Sequence, residues 1–131
     1  MNRSRSDGGM VTAFVVTLTM ALLFATGLAY DAGRLVDARI AAADLAAGAA
    51  RAGAQRTVVD SSGRVVLDER AARQAAGEFV TDPAYGVDVA ASADAVTVTV
   101  TRTVDMTFLR LFGLGHRRVR ASHTAEPVEG S

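Results

Sequence analysis

Residues 10–30, MVTAFVVTLTMALLFATGLAY, form a run without a single charged residue. As an α-helix rising about 1.5 Å per residue, this run would be roughly 31 Å long, enough to cross a hydrocarbon core of ~30 Å. Its threonine hydroxyls can bond to the carbonyl four residues back, so they are satisfied in lipid. The run stops at Asp31, since a charge at mid-bilayer would cost about 3 kcal/mol. The pattern predicts a transmembrane helix; the alternative, a buried core helix, would need more chain around it.

The polar leader, residues 1–9 (MNRSRSDGG), contains Arg3 and Arg5. Positive charge is retained on the cytoplasmic side of a membrane, so we expect a single-pass cell-membrane protein with a cytoplasmic N-terminus and an extracytoplasmic C-terminal domain. A cleavable signal peptide is the alternative, because the small residues between Ala25 and Ala29 resemble a cleavage site. The apolar run is longer than the ~7–15 residues of a signal-peptide core, which favours the anchor.

Residues 31–56 are predicted to extend the span as one continuous helix, because they are rich in Ala, the best helix former. The helix should be thin where small residues follow one another, and thin helices let neighbouring backbones approach closely. The candidate helix-packing residues are Gly48, Ala49, Ala52 and Gly53. Packing against another subunit and packing on the chain's own sheet both fit this pattern.

Residues 57–131 have the signals of a small extracytoplasmic α+β domain. The clearest is VTVTVTRTV at 96–104, where Val and Thr alternate at first, as in a strand with one buried face and one wet face. Further strands are predicted over 86–90 and 117–125, with a short apolar helix or loop over 105–115 between the last two strands. The fold class we expect is a long N-terminal transmembrane helix continuing into a small antiparallel-sheet, pilin-like domain.

Two local signals come before this sheet. The DSSG turn at 60–63 lies between β-branched residues and predicts a short hairpin or an extended excursion. Asp68 is placed to cap a second helix over 69–80, which ends before Pro83.

Composition argues against several functions. The 131 residues have a formal net charge of zero, so the electrostatic case for nucleic-acid binding is absent, and there is no cysteine for a thiolate site. His116 and His123 would lie on opposite faces of a strand, a poor metal pair. The basic run from Arg117 to Arg120 fits a solvated strand end, anionic headgroups or an acidic partner. We therefore expect no enzyme, no cofactor and no metal site.

The N-terminal part resembles a known family. Its features are Gly8-Gly9 before an apolar run that begins Val-Thr-Ala-Phe, then Asp31-Ala32-Gly33-Arg34, and an Ala/Gly-rich stretch ending at Gly53. In these features the chain is similar to the TadE/TadG-like proteins of Flp (tight adherence) pilus systems, in the form common in high-GC Gram-positive bacteria. The similarity covers residues 5–56; the remainder agrees only in the order of its elements.

The resemblance implies a membrane-anchored, pseudopilin-like protein that assists assembly of Flp/Tad-type pili or their secretion machinery. Its expected partners are membrane lipid and other Tad/Flp pilus-assembly proteins, with homo- or hetero-oligomers open. Processing by a prepilin peptidase would fall after Gly9, but the expected Glu before Phe is absent, because Ala13 precedes Phe14. A membrane-tethered or secreted extracytoplasmic binding module is the alternative function.

Overall fold

The computed structural model describes residues 3–128, with side chains described from Asp7 onward. The first two residues of the leader and the last three of the predicted tail lie outside the described residues. The elements, in chain order, are α1 (Arg3–Ala54), β1 (Thr57–Val59), β2 (Val65–Leu67), α2 (Glu69–Phe79), β3 (Tyr85–Ala91), β4 (Val96–Asp105), a 3₁₀ turn (Leu109–Phe112) and β5 (His116–Ala125). The predicted α+β class, a long apolar helix followed by small antiparallel sheets, is confirmed.

The helix α1 is one unbroken rod of 52 residues, about 78 Å long at 1.5 Å per residue. Every residue from Asp7 to Thr26 is exposed, so this part of the helix packs on little else in the chain. Its threonines bond back as predicted: the hydroxyls of Thr17, Thr19 and Thr26 each donate to the carbonyl four residues earlier at 2.8 Å. The helix is long and apolar enough to cross a membrane.

The C-terminal part of α1 packs on the sheet through alanines. The fully buried ones recur at helical spacing along a single stripe: Ala42, Ala46, Ala49 and Ala50. Methyl side chains keep the helix axis close to the strands, because nothing larger stands between them. Thus the Ala-rich stretch forms one side of the hydrophobic core.

The sheet on which α1 packs has the strand order β3-β4-β5, and both strand pairs are antiparallel. Val96, Val98 and Val100 are fully buried, whereas the threonines between them are half-buried, so the predicted alternation in β4 is confirmed. The threonines of β4 pair across the other face, where Thr97 Oγ1 lies 2.8 Å from Thr124 Oγ1. α1 covers β4 and β5, while α2 lies beside α1 over β3.

The hairpin and the second helix form as the local signals predict. β1 and β2 pair antiparallel around a turn in which Asp60 Oδ1 accepts from the backbone N–H of Ser62 and of Arg64. Gly63 has a φ of 84°, a conformation that favours glycine. Asp68 caps α2 by accepting from the N–H of Ala71 at 3.1 Å.

Candidate functional site

Asp31, the first charged residue after the apolar run, is fully buried. Its carboxylate accepts three backbone hydrogen bonds: from the N–H of Thr107 at 3.0 Å, and from those of Phe108 and Leu109 at 2.8 Å each. These N–H groups stand at the start of the 3₁₀ turn, where a helix leaves donors without partners of its own. Asp31 therefore caps an element that begins 78 residues further along the chain.

The surroundings of Asp31 keep it ionised. Burial by itself would raise the pKa of the carboxyl group, but the N–H groups of Leu109, Thr107 and Phe108, together with the nearby Arg34 guanidinium, outweigh it and hold the pKa below the ordinary 3.8. At neutral pH the group is a carboxylate, and it accepts hydrogen bonds at both oxygens. We call the contact between Asp31 and residues 107–109 the aspartate clasp.

A second polar link lies one helical turn further along α1. Nη1 of Arg34 donates to Thr107 Oγ1 at 3.2 Å. The clasp and this link tie the same loop to α1 at two successive turns, so the loop cannot pivot about a single contact. The end of the apolar run is thereby fixed relative to the sheet.

The loop held by the clasp, residues 106–115, is apolar, and we call it the apolar loop. It begins at the buried Met106, whose N–H donates to the carbonyl of Gly115 at 2.8 Å and closes the loop on itself. Its turn ends at Gly113, which has a φ of 79°. Between them Leu111 is 77% exposed and Phe112 64% exposed. A closed loop with large apolar side chains on its outside is unusual for a surface that faces water.

Aromatic contacts hold the apolar loop against the apolar run of α1. Phe108 lies flush on Gly27, where an added Cβ would come within 2.5 Å of its ring, and Tyr30 meets Phe108 edge to face with centroids 6.1 Å apart. Phe112 stacks at a tilt on Phe24, again at 6.1 Å. Phe24 precedes Asp31 by about 10 Å of helix axis. The loop consequently runs back along the apolar run, on the N-terminal side of the clasp.

A groove opens on the other side of the clasp, between α1 and β5. It encloses about 540 Å³, and four arginines and four apolar residues line it: Leu35, Val36, Arg39, Leu109, Arg117, Arg118, Val119 and Arg120. None of its lining residues is acidic, and no carboxylate of the described residues forms an ion pair with these four guanidinium groups. We call it the arginine groove. Arg117 shares the α1-facing side of β5 with Val119, whereas Arg118 and Arg120, which pair with Thr103 and Thr101, lie on the other side of this edge strand. Arginines beside an apolar floor suit an anion with an apolar part.

The residues singled out for helix packing lie against the chain's own domain. A Cβ at Gly48 would come within 2.5 Å of the Phe79 ring of α2, and one at Gly53 within 3.0 Å of the Ala72 carbonyl oxygen. Ala49 is fully buried and Ala52 is half-buried. A role for these residues in contacts with a second subunit stays a prediction. Gly9 is exposed on α1, with nothing within 4 Å of an added Cβ; its processing also stays a prediction.

The two histidines lie apart. His116 Nδ1 lies 2.6 Å from Asp105 Oδ1 across β5 and β4, at the edge of the apolar loop. His123 lies on the opposite face of β5, where it pairs in register with Val98. Within residues 3–128 no three His, Asp or Glu side chains are placed to hold a metal ion.

Sequence reasoning missed the clasp. It treated Asp31 only as the residue that ends the span, because the three groups that bind its carboxylate are backbone N–H groups, which every residue except proline carries. The one readable signal was the apolar segment at 108–114, whose phenylalanines and leucines needed an apolar surface to contact. That surface proved to be the helix segment immediately before Asp31.

Comparison with known proteins gives one family. A family model described as "Putative Tad-like Flp pilus-assembly" matches residues 15–125. The match begins inside the apolar run and ends at the last residue of β5, so it covers helix, clasp, loop and sheet together. No curated protein and no solved structure matches the chain significantly.

Proposed function

This chain belongs to the Tad-like Flp pilus-assembly family, and we propose that it serves there as a membrane-anchored, pseudopilin-like component. In this role it assists assembly of Flp/Tad-type pili, or of their secretion machinery, through protein contacts and without catalysis. The observation that carries the proposal is the extent of the family match. The matched unit joins most of the apolar run to the whole small domain, so the family resemblance extends to both parts.

The exposure of α1 supports the anchor. Between Asp7 and Thr26 the helix leaves its Leu, Phe, Val and Met side chains uncovered, and these are the residues with favourable free energies of insertion into lipid. The threonine hydroxyls of this segment are satisfied within the helix. Such a surface would be costly in water and suits the hydrocarbon core of a membrane.

The aspartate clasp supports a role in assembly. A domain on a flexible stalk samples many orientations, whereas here the helix is continuous and the apolar loop is fixed to it by hydrogen bonds on either side of one turn. A component that must meet partners at a defined height and angle above the membrane benefits from such rigidity. The candidate partners are other Tad/Flp pilus-assembly proteins, with a second copy of this chain among them.

Orientation can be tested directly, because the chain has no cysteine. We expect Ser61→Cys, in the exposed turn of the β1–β2 hairpin, to react with a membrane-impermeant thiol reagent in intact cells or spheroplasts. Ser4→Cys, in the leader, should react only after lysis. The reverse pattern would contradict a cytoplasmic N-terminus. Release of the Ser61→Cys protein into the medium would favour the alternative of a secreted binding module.

The assembly role is tested by complementation in a strain that makes Flp-type pili. Loss of this chain should abolish surface pili while the pilin subunit accumulates in the membrane, and the wild-type chain should restore them. A matched variant carries a cleavable signal peptide in place of residues 1–23 and releases residues 24–131, which keep the contacts of Phe24, Gly27 and Tyr30 with the apolar loop; it should fail to restore pili. Normal piliation without the chain would overturn the proposal. Full rescue by the released domain would show that assembly does not require the membrane anchor.

A further inference from the structure

The apolar loop and the arginine groove meet at Leu109. Its N–H binds Asp31 in the clasp, and its side chain lines the groove. The loop runs from this point toward the N-terminal end of α1, and the groove opens toward the C-terminal end. If the proposed span ends at Asp31, the loop lies at the depth of the acyl chains and the groove lies just outside them.

The rise of α1 per residue converts positions along the helix into depths in the membrane. Phe112 contacts Phe24, which lies about 10 Å before Asp31 and therefore within the ~15 Å half-thickness of a hydrocarbon core. Leu35 and Arg39, on the floor and wall of the groove, follow Asp31 by about 6 and 12 Å. The polar headgroup layer begins at the edge of the hydrocarbon and is roughly 5–8 Å thick on each side. The groove thus starts at the level of the lipid phosphates.

The side chains fit these two depths. The exposed apolar groups of the loop are aromatic and aliphatic: Phe108, Leu111, Phe112 and Leu114. Arg110, the one charged residue among them, has its Cγ 3.6 Å from the Cβ position of Gly115, so its stem runs toward the start of β5 and away from the loop tip. A long cationic side chain that points to the interface in this way keeps its charge in the headgroup layer.

The groove has the chemistry of a phosphate site. Guanidinium groups bind phosphate through paired N–H donors. The lining contains four arginines and no acidic residue, with Arg117 on the α1-facing side of β5 and Arg118 and Arg120 on the other side of the same edge strand. An acidic protein would match the charge alone. A phospholipid also matches the apolar floor and the continuity with the loop, because its phosphate and its acyl chains lie at the two depths that groove and loop occupy.

We propose, on the premise of the membrane anchor above, that the apolar loop enters the bilayer beside α1 and that the arginine groove binds the phosphate of an anionic phospholipid in the same leaflet. The domain is then fixed to the membrane at two places, the span and the loop. Anionic lipid would set its tilt and supply a lipid-dependent step in assembly.

Depth is measured with single tryptophans, because the chain contains none. The full chain is reconstituted in vesicles that contain phosphatidylcholine brominated along its acyl chains. Leu111→Trp, at a site that is already largely exposed, should be quenched by the bromines. Phe14→Trp reports the span, and Val59→Trp, in the exposed hairpin far from the clasp, is the unquenched control. Quenching of Phe14→Trp without quenching of Leu111→Trp overturns insertion of the loop, while an unquenched Phe14→Trp overturns the anchor itself.

Lipid choice is measured by native mass spectrometry of the full chain with equimolar phosphatidylglycerol and phosphatidylcholine. We expect bound phosphatidylglycerol to predominate, and to fall about fivefold for each groove arginine neutralised. The test variant is the triple change Arg117→Gln, Arg118→Gln and Arg120→Gln. The control neutralises three exposed arginines at the far end of the domain, Arg51, Arg56 and Arg70.

Three outcomes overturn the groove as a lipid site. These are an absence of preference for phosphatidylglycerol, an equal loss of preference in the two triple variants, and complete displacement of the lipid by millimolar inorganic phosphate, which would indicate a site for free phosphate. Gly27→Leu supplies an independent check. It should displace Phe108, reduce quenching of the Leu111→Trp reporter and leave quenching of the Phe14→Trp reporter unchanged.

Discussion

The two halves of α1 are both rich in apolar residues, yet they lie in opposite surroundings. In the N-terminal half, residues 7–26, every residue is exposed and most side chains are larger than that of alanine. In the C-terminal half, residues 38–54, the buried residues are almost all alanine. A helix that packs on a sheet through small side chains buries little side-chain area but brings its backbone close to the strands. A helix surface suited to lipid instead exposes large apolar side chains. Side-chain size therefore separates the two environments along one continuous helix.

The largest effect is expected from a charged side chain introduced between the C-terminal half of α1 and the sheet. Val98→Asp would bury a carboxylate on the β4 face that α1 covers, and we expect a loss of about 3–5 kcal/mol in the free energy of unfolding. Thr99→Asp points to the other face and should cost far less. Urea unfolding of the full chain in detergent micelles measures both. Equal losses would contradict the assignment of the two faces.

Added bulk in the C-terminal half should have the next largest effect. Gly53→Leu meets the rigid backbone oxygen of Ala72 and should destabilise the fold by about 1–3 kcal/mol. Gly48→Leu meets only the half-exposed ring of Phe79, which can turn away, so its cost should be smaller. Gly33→Leu, with open space around it, is the control. Thermal unfolding ranks the three.

The same glycine variants also test whether this surface takes part in assembly. If a second subunit approaches α1 at Gly48, cross-links between full-length chains in membranes should be lost at an unchanged melting temperature. A lowered melting temperature with cross-links retained would show that the helix surface around Gly48 packs only within its own chain.

Acid should weaken the junction between the two halves. The pKa of Asp31 is lower in the folded chain than the ordinary 3.8, so its contribution to stability is present above pH 3.8 and is lost as the pH falls through the folded pKa. The effect should be smaller than that of the core substitutions, because a protonated carboxyl group still accepts hydrogen bonds. Asp31→Asn should flatten the fall of the melting temperature below pH 3.8.

A second carboxyl group titrates in the same range and needs its own control. The hydroxyl of Ser62, with the N–H groups of Arg64 and Ser62, lowers the pKa of Asp60 to about 2. Asp60→Asn therefore removes the acid sensitivity of the hairpin turn and leaves that of the clasp. If Asp31→Asn leaves the acid profile unchanged while Asp60→Asn flattens it, the clasp makes no contribution to the acid sensitivity of the fold.

The smallest effect is expected in the N-terminal half. The hydroxyls of Thr17 and Thr26 donate to helix carbonyls that already accept a backbone N–H, so replacing either Thr by Val leaves nothing unsatisfied. We expect changes of less than about 0.5 kcal/mol in the stability of the reconstituted protein. A large loss would show that this half packs through its threonines on a partner helix, and the contrast between the halves would weaken.

Most of the fold could be predicted from the sequence because its signals are local. The absence of charge from residue 10 to 30 defined the apolar segment, and the alternation of Val and Thr in 96–104 defined the central strand. The turn at Asp60 and the cap at Asp68 also depend on neighbours within four residues. Such periodicities and caps identify each helix or strand and its buried face, but they do not identify the elements that it contacts.

The candidate site could not be predicted in this way. Its central contact joins Asp31 to N–H groups 76–78 residues away, and the chain has many aspartates and nearly as many backbone N–H groups as residues, so nothing local marks the pair. The arginine groove likewise needs α1 and β5 to be neighbours.

The sequence by itself determined that this protein has an apolar helix, a thin Ala-rich continuation and a small antiparallel sheet, because those are properties of residue order over one or two turns. Only the tertiary structure decided that the apolar loop turns back beside the helix and not toward solvent. The physical reason is that a buried carboxylate is stable only where donors converge on it, and the path of the chain brings three of them to Asp31.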